Sequence, residues 1–427
     1  MEENNCPVWA SGRNINEQAF IYDFLQTNRL TCQNNRFYGV NGPVEDSKVR
    51  EVIYTMLRKH YQTGLKEKVE SILWAMRLEL CGNDIHTGAH EIHVRNGTLD
   101  LRKGFTDYKC ICQNRLPVRY DENAPKPEHW LRFVEALLEP EDILTLQEYL
   151  GYCLIPSNAA QKMLMILGDG GEGKSRIGVM MSLLLGSSMI TCPLDKIEHD
   201  RFARSNLEGK LLMVDDDLNL DALKTTHHIK SIITADTPMD LERKGEQSYQ
   251  GYLNCRFLCF GNGNLRSLHD RSHGFYRRQI ILHCKEKDPN RLDDPYLAHK
   301  FIDELDGIFL WCLEGLRRLQ ANHMEFTISR KSEENLKQAV LESNNIIEFV
   351  CSQGYIAFDP NFTTTTRHLY AAYNSWCNDN ATKPLSIQTF SNYLISKQQI
   401  LGISYSNNIY CGEGKRSRGF VGLRVLF

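Results

Sequence analysis

Apolar side chains recur at helical spacing through the first eighty or so residues of the chain. In residues 46–59, one helical face carries the apolar positions Val49, Val52, Ile53, Met56 and Leu57. Residues 65–80 continue the same spacing with Leu65, Val69, Ile72, Leu73 and Met76. We therefore predict a mainly helical N-terminal domain over residues 1–95.

The pattern changes to short strands and then to alternating strands and helices. Residues 91–101 form two short strands around a turn at Asn96-Gly97, and a later helix has the core face Trp130, Phe133, Val134 and Leu137. From residue 163 to about residue 284, strands alternate with a glycine loop and helices, which is typical of α/β domains. We predict one domain over residues 96–155 and an α/β domain over residues 156–324.

Residues 325–427 are predicted to form a further domain. Helices over residues 367–376 and 386–397, capped by Thr366 and Ser386, precede an alternating segment that favours a two-stranded hairpin. This order is typical of a winged-helix domain. The hairpin carries the densest basic patch of the chain, formed by Lys415, Arg416 and Arg418. The patch favours DNA binding, and a structural or protein-binding role is the alternative.

Composition and charge add limits to this picture. The formal net charge is −3, so a nucleic-acid partner requires positive charge that is concentrated locally. Fourteen cysteines without regular spacing fit reduced thiols better than a disulfide framework. The acidic N-terminus does not have the layout of a signal peptide, and the longest largely apolar stretch is about half a membrane span. We expect a cytoplasmic protein with no membrane partner, in the host cytoplasm if a phage or virus encodes it.

A glycine-rich motif follows the apolar run at residues 163–167. It reads Gly168-Asp169-Gly170-Gly171-Glu172-Gly173-Lys174-Ser175, a full G-x-x-x-x-G-K-S, and a helical pattern that opens with Arg176 comes next. Glycines at these positions let backbone N–H groups surround phosphate oxygens at a helix N-terminus. The segment from Gly168 to Arg176 therefore predicts ATP binding, with Lys174 at the β- and γ-phosphates and Ser175 on Mg²⁺.

An acidic cluster follows the next apolar strand. Residues 211–214 lead directly into Asp215-Asp216-Asp217, about forty residues after Lys174. Carboxylates at a strand end can hold the water shell of Mg²⁺ and polarise an attacking water. We favour Asp215 and Asp216 as metal and catalytic residues, and which carboxylate is the base stays open.

The order of the downstream segments resembles one helicase class. Arg243-Lys244 lie between two strands, a third strand ends in Asn262, and Arg277-Arg278 lead into a fourth. This order resembles superfamily 3 helicases, above all the poxvirus-type primase–helicase and the C-terminal half of phage and plasmid primases. Residues 96–101, 120–125, 130 and 150–152 are similar to the domain that precedes the motor in that family. The resemblance covers about residues 90–320.

The resemblance implies a fold, an activity and a set of residue roles. It implies a P-loop, AAA+-like core and an ATP-dependent DNA helicase that replicates a phage, virus or mobile element. Such a helicase is a hexameric ring on single-stranded or forked DNA, moving 3′→5′. Asn262 would orient the lytic water, Arg277 or Arg278 would reach a neighbouring subunit's γ-phosphate, and Arg243 with Lys244 would contact DNA in the channel. The structural alternatives are a turn-capping role for Asn262, a surface basic pair for Arg277 and Arg278, and a solvated hairpin tip for Arg243 and Lys244.

Two departures from the family pattern are visible. The strand after the arginines lacks the usual closing Pro-Phe, and no acidic D-x-D-like cluster lies in residues 1–90. The second departure argues against priming activity, so a separate primase or polymerase would be the partner.

A replication initiator or origin-binding ATPase with little unwinding activity is the alternative function, and an ATPase that acts on proteins is a third. The spacing of His86, His90, His93, Cys81, Cys110 and Cys112 matches no familiar zinc finger.

Overall fold

The computed structural model describes most of the chain and separates it into two compact units. The described residues are 7–12, 14–82, 85, 88–218, 225–262, 273–287, 294–343, 345–410 and 416–426. The first unit ends at Glu333 and the second begins at Glu334, nine residues beyond the predicted start of the C-terminal domain at residue 325. Among the described residues, every helix is too short or too polar to cross a membrane.

The helices and strands given next lie in the first unit, except that the last helix crosses its boundary at Glu333. In chain order they are β1 (Ala10–Ser11), β2 (Asn14–Ile15), α1 (Glu17–Thr27), β3 (Leu30–Gln33), β4 (Arg36–Gly39), β5 (Gly42–Val44), α2 (Asp46–Leu57), α3 (Leu65–Glu79), β6 (Glu91–Val94), β7 (Gly97–Asp100), β8 (Gly104–Thr106), β9 (Arg115–Leu116), α4 (Glu128–Leu137), α5 (Pro140–Tyr152), β10 (Met163–Gly168), α6 (Ser175–Leu185), a 3-10 turn (Gly186–Ser188), β11 (Met189–Thr191), α7 (Leu194–His199), α8 (Arg201–Ser205), β12 (Leu212–Asp215), α9 (His227–Thr234), β13 (Met239–Leu241), β14 (Tyr249–Gly251), β15 (Arg256–Asn262), α10 (His273–Tyr276), β16 (Gln279–His283), α11 (Leu297–Asp303), α12 (Leu305–Ala321) and α13 (Arg330–Ser343).

The N-terminal part of the first unit is helical as predicted, but it also contains a small sheet that the sequence pattern did not indicate. Helices α1, α2 and α3 bury their apolar faces in one core. Strands β3, β4 and β5 form an antiparallel meander between α1 and α2. The β3–β4 turn places Asn34 and Asn35 at φ angles of 49° and 61°, the left-handed region that a tight two-residue hairpin requires. These strands have only three or four residues, which is too short for an alternation of apolar and polar positions to be recognised in the sequence.

The segment before the α/β sheet shares its core with that sheet. Strands β6 to β9 form a four-stranded sheet in the order β8-β7-β6-β9, and α4 buries the predicted face. Arg115 is buried at the edge of this sheet and donates hydrogen bonds to the carbonyls of Val40, Val94, Gly97 and Cys110. One hydrophobic cluster runs from Ile92 to Leu319. The predicted boundary at residue 155 is therefore not a break in the core.

A five-stranded parallel sheet is the centre of the first unit. Its order is β11-β12-β15-β10-β16, and all of its pairs are parallel. Most strand residues are buried, as continuous apolar runs such as residues 163–167 predict for a sheet covered on both faces. Because the strands are parallel, the segments that follow β10, β12 and β15 emerge at the same edge. This edge is where the predicted phosphate loop, the acidic cluster and Asn262 leave the sheet.

The second unit has its own core and a three-stranded antiparallel sheet. Its elements after α13 are α14 (Asn345–Cys351), β17 (Ile356–Thr365), α15 (Thr366–Asp379), α16 (Ile387–Leu401), β18 (Ser404–Tyr410) and β19 (Arg416–Val425). The sheet order is β17-β19-β18, so the predicted hairpin is present and β17 is a strand that the sequence did not indicate. Ser386 caps α16 as predicted. The predicted cap Thr366 is wrong, because the hydroxyl of Thr365 accepts the N–H of His368 instead.

Candidate functional site

A cleft lies at the carboxyl edge of the parallel sheet, where β10, β12 and β15 end. Its volume is about 350 Å³. Most of its lining comes from the glycine-rich segment after β10 and the start of α6, and β15, the end of β12 and the start of α11 with the residues before it supply the rest. The lining residues are Gly170, Gly171, Glu172, Gly173, Lys174, Ser175, Arg176, Asp216, Phe260, Asn262, Asp294 and Leu297.

The glycine-rich segment forms a loop that only glycine can follow without strain. Strand β10 ends at Gly168 and helix α6 begins at Ser175. Between them Gly170, Gly171 and Gly173 have φ angles of 110°, 81° and 99°, in a region that side chains disfavour. The loop therefore leads into the N-terminus of the eleven-residue helix α6, the location that favours bound anions.

An acidic side chain inside the loop holds the loop lysine. The Nζ of Lys174 lies 2.7 Å from Oε2 of Glu172, and the N–H of Gly170 donates to Oε1 of the same carboxylate at 2.7 Å. Both side chains are buried, with 7% of the Lys174 side chain and 5% of the Glu172 side chain exposed. Burial by itself raises the pKa of Glu172, but the hydrogen bonds from Lys174 and from backbone N–H groups outweigh it and lower the pKa. The loop therefore holds a buried ion pair.

The two favoured aspartates have different surroundings. Asp216 is exposed and lines the cleft together with Ser175, so both residues offer oxygen atoms there. Asp215 is buried and accepts the N–H of Leu194 at 2.7 Å and that of Asp217 at 3.3 Å. Burial raises the pKa of Asp215. Hard divalent cations prefer oxygen ligands, and Asp216 with Ser175 is the pair placed to supply them.

Asn262 lies where the sequence placed it, at the end of a strand beside the loop. It is the last residue of β15 and pairs in register with Gly168 at the end of β10. Its side chain is exposed to the cleft. Asp294 and Leu297 also line the cleft and were missed, because they follow no strand and belong to no spaced motif. Asp294 precedes α11 and Leu297 is its first residue, so the packing of α11 against α6 brings them near.

Arg277 and Arg278 lie at the opposite edge of the sheet from the cleft. They precede β16, whose first residue, Gln279, pairs in register with Met163 at the start of β10. Arg277 is exposed, whereas Arg278 is half-buried and donates a hydrogen bond to the carbonyl of Gly274. Burial and the neighbouring Arg277 charge lower the pKa of Arg278. Neither arginine is among the residues that line the cleft of its own chain.

The predicted DNA contacts Arg243 and Lys244 differ in accessibility. They lie between the paired strands β13 and β14. The guanidinium of Arg243 pairs with the buried carboxylate of Glu208, lies 4.8 Å from the ring centre of Tyr249 and donates to the carbonyl of Asn34. Lys244 is exposed. The Arg243 side chain is only 13% exposed, so its observed contacts are structural and Lys244 is the cation presented to solvent.

The basic patch of the second unit is only partly described. Arg416 and Arg418 lie on β19 and are exposed, and Lys415 lies outside the described residues. On α16, Phe390 and Leu394 are buried, Gln388 and Asn392 are exposed, and Ser391 and Ile395 are half-buried.

The histidines and cysteines near residue 90 take several different environments. His93 is buried, with Nδ1 3.1 Å from the Thr98 hydroxyl and 3.6 Å from the sulfur of Cys110. The donor atoms of three half-buried residues, His90, Glu91 and Asp100, lie within 4.8 Å of one another. Asp100 and Glu91 each offer a carboxylate oxygen, and His90 offers an imidazole nitrogen. Among the described residues outside the cleft, this group could hold a metal ion. His86 lies outside the described residues.

Comparison with known proteins finds one family model and several similar structures. The model described as a family of unknown function, DUF5906, matches residues 166–278, a range that contains the loop, Asp216 and Asn262. The chain is similar to an apo structure of the NrS-1 C terminal region, with a TM-score of 0.57 and 12% identity over 94% of this chain and 98% of that chain. An A form apo structure of the same region has a TM-score of 0.55 and 11% identity, covering 94% and 99%. At this identity the similarity shows a shared fold.

Proposed function

We propose that this chain is a P-loop ATPase of the superfamily 3 type that acts as a DNA helicase in replication. The observation that carries the proposal is the meeting of Lys174, Ser175, Asp216 and Asn262 at one cleft. They lie at or after the ends of β10, β12 and β15, which are not consecutive strands along the chain. A glycine-rich turn without a function gives no reason for a hydroxyl, a carboxylate and an amide to converge on it.

The residues of the cleft fit ATP and Mg²⁺. The loop N–H groups and Lys174 are donors for phosphate oxygens, and Ser175 with Asp216 offers oxygen ligands for the ion. When bound, Mg²⁺ neutralises charge on the phosphates. Asn262, an amide at the adjacent strand end, can hold a water beside the terminal phosphate. Asp216 rather than Asp215 is the carboxylate we assign to the metal, because Asp215 is buried and already accepts two backbone N–H groups.

The helicase part of the proposal rests on the order of the segments and on the location of the cations. Lys244 on the β13–β14 hairpin and Arg416 with Arg418 on β19 are exposed, as contacts with DNA phosphates require. Arg277 lies at the sheet edge opposite the cleft, which suits a role toward a neighbouring subunit in a ring. We assign that role to Arg277 rather than Arg278, whose guanidinium is already bonded to Gly274. The NrS-1 C terminal region shares the fold, and the role in replication is inferred from the order of the segments alone.

The test is hydrolysis of ATP by the full chain with and without single-stranded DNA. Lys174→Ala and Asp216→Asn should each remove nearly all hydrolysis, because one removes the cation for the phosphates and the other an oxygen ligand of the metal. Circular dichroism should show that both variants fold. Glu135→Gln, which changes an exposed carboxylate on α4, is the matched control and should keep the parent rate.

The outcome separates the helicase from its alternatives. Hydrolysis by Lys174→Ala at the parent rate would contradict the nucleotide site. Hydrolysis that DNA does not stimulate would favour an ATPase that acts on proteins. DNA-stimulated hydrolysis without separation of a forked duplex would favour a replication initiator.

A further inference from the structure

The ion pair inside the glycine-rich loop lies where a nucleotide phosphate has to go. The Glu172 carboxylate uses both of its oxygens, one for the Gly170 N–H and one for Lys174 Nζ, each at 2.7 Å. A loop N–H and the loop lysine are the donors that a G-x-x-x-x-G-K-S segment presents to phosphate oxygens. The carboxylate is thus an anion bound in an anion site, and it belongs to the chain itself.

The packing around the carboxylate is close. A Cβ atom placed on Gly168 would lie 2.7 Å from Oε1 of Glu172 and 3.0 Å from Nζ of Lys174. The ion pair therefore packs directly on the backbone at the end of β10, and both of its side chains are buried. A phosphate that took the same donors would meet the carboxylate at contact distance, so the two anions exclude each other.

We propose that Glu172 occupies the phosphate position in the nucleotide-free protein, so that ATP must expel its carboxylate in order to bind. This inference rests on the proposed function and adds a regulation of the same site. Glu172 is a positioning residue in this proposal. It sets the affinity for phosphate-bearing ligands and keeps Lys174 paired until one arrives.

The Glu172 carboxylate should therefore stabilise the nucleotide-free protein and at the same time lower its affinity for phosphate ligands. Gln has one acceptor oxygen where Glu has two, and it is neutral, so Glu172→Gln leaves either the Gly170 N–H or Lys174 without its partner. A buried cation without a partner lowers the stability of the nucleotide-free protein. The vacated donors are then available to phosphate, so the affinity for phosphate ligands rises. A residue that only shaped the loop would lose stability and affinity together.

The experiment measures binding and melting of the full chain. Isothermal titration with pyrophosphate, ADP and ATP should give a Kd for Glu172→Gln that is about tenfold to a hundredfold below the parent value, the range of one charge-assisted hydrogen bond. The nucleotide-free Tm should fall, and the rise in Tm on adding ADP should be larger than in the parent. Glu51→Gln removes an exposed carboxylate on α2 and serves as the charge-matched control, which should keep the parent Kd.

A second variant guards against loss of folding. Glu172→Asp keeps the charge, but its shorter side chain cannot span both donors, so its Kd should fall between those of the parent and Glu172→Gln. Equal or weaker binding of pyrophosphate by both variants would overturn the proposal while leaving ATP binding by the parent intact. Tighter pyrophosphate binding by Glu172→Gln, in a protein that does not bind ATP, would support the placement of Glu172 in a phosphate position and contradict the proposed ATPase. Binding of none of the ligands by any variant would overturn both.

Discussion

Replacing Arg277 by alanine tests whether the proposed ATPase is completed by a second subunit. Arg277 precedes β16 at the edge of the sheet where β10 begins, whereas the loop that carries Lys174 follows the end of β10. Six strand residues span roughly 16–20 Å at about 3.3 Å per residue, which is longer than an arginine side chain. Arg277 therefore cannot reach the cleft of its own chain, and any effect on hydrolysis has to come through a neighbour.

The expected size of the effect follows from the charge that the arginine would stabilise. Loss of an arginine that contacts the transferring phosphoryl group lowers the rate by about 10³–10⁵-fold, while ATP binding changes little. The assay is phosphate release at saturating ATP, with ATP affinity measured separately. Arg132→Ala removes an exposed arginine that pairs with Glu128 on the same helix, and it should behave as the parent does.

Mixing two inactive variants makes the test specific. Consider rings assembled from equal amounts of Arg277→Ala and Lys174→Ala subunits. A site is active only if its own loop and the arginine of the neighbouring subunit are both intact. In a closed ring of like interfaces, this condition holds for about one quarter of the sites. We expect the mixture to recover about that fraction of the parent rate. An absence of recovery at every mixing ratio would refute the shared site, and so would Arg277→Ala hydrolysing at the parent rate.

Three further predictions concern the stability of the fold and the binding of DNA. Glu198 accepts the N–H groups of the first three residues of α9 at 2.8, 3.2 and 3.1 Å, so Glu198→Gln should lower the free energy of unfolding by about 1–3 kcal/mol in urea denaturation, and an unchanged midpoint would contradict the capping role. Lys244→Ala should lower the salt slope of DNA binding by about one and slow unwinding at saturating protein. Arg416→Ala with Arg418→Ala should lower the slope by about two, and a higher protein concentration should restore unwinding. Unwinding by Lys244→Ala at the parent rate would contradict the channel contact.

Several features of the fold are determined by local sequence. The apolar run before Gly168 is long enough and continuous enough to specify a buried strand, and the glycines after it are needed at positive φ angles wherever the loop lies. The face of α4 and the cap at Ser386 depend on spacing over a few residues, and both are confirmed. The position of Asn262 beside the loop follows from the rule that parallel strands end at one edge.

Other features depend on which distant residues the fold brings together, and nearby sequence does not contain that information. Asp215 and Asp216 are adjacent and identical in type, yet the alternation of a strand end buries the first against Leu194 and exposes the second to the cleft. The sequence predicts that Arg243 is an exposed cation on a hairpin. In the structure its guanidinium pairs with the carboxylate of Glu208, thirty-five positions earlier. The same holds for Glu172, whose position inside the motif is visible in the sequence. That its carboxylate turns inward onto Lys174 is decided by the loop backbone, because the Gly170 N–H and Lys174 together satisfy both carboxylate oxygens and so offset the desolvation of the buried pair.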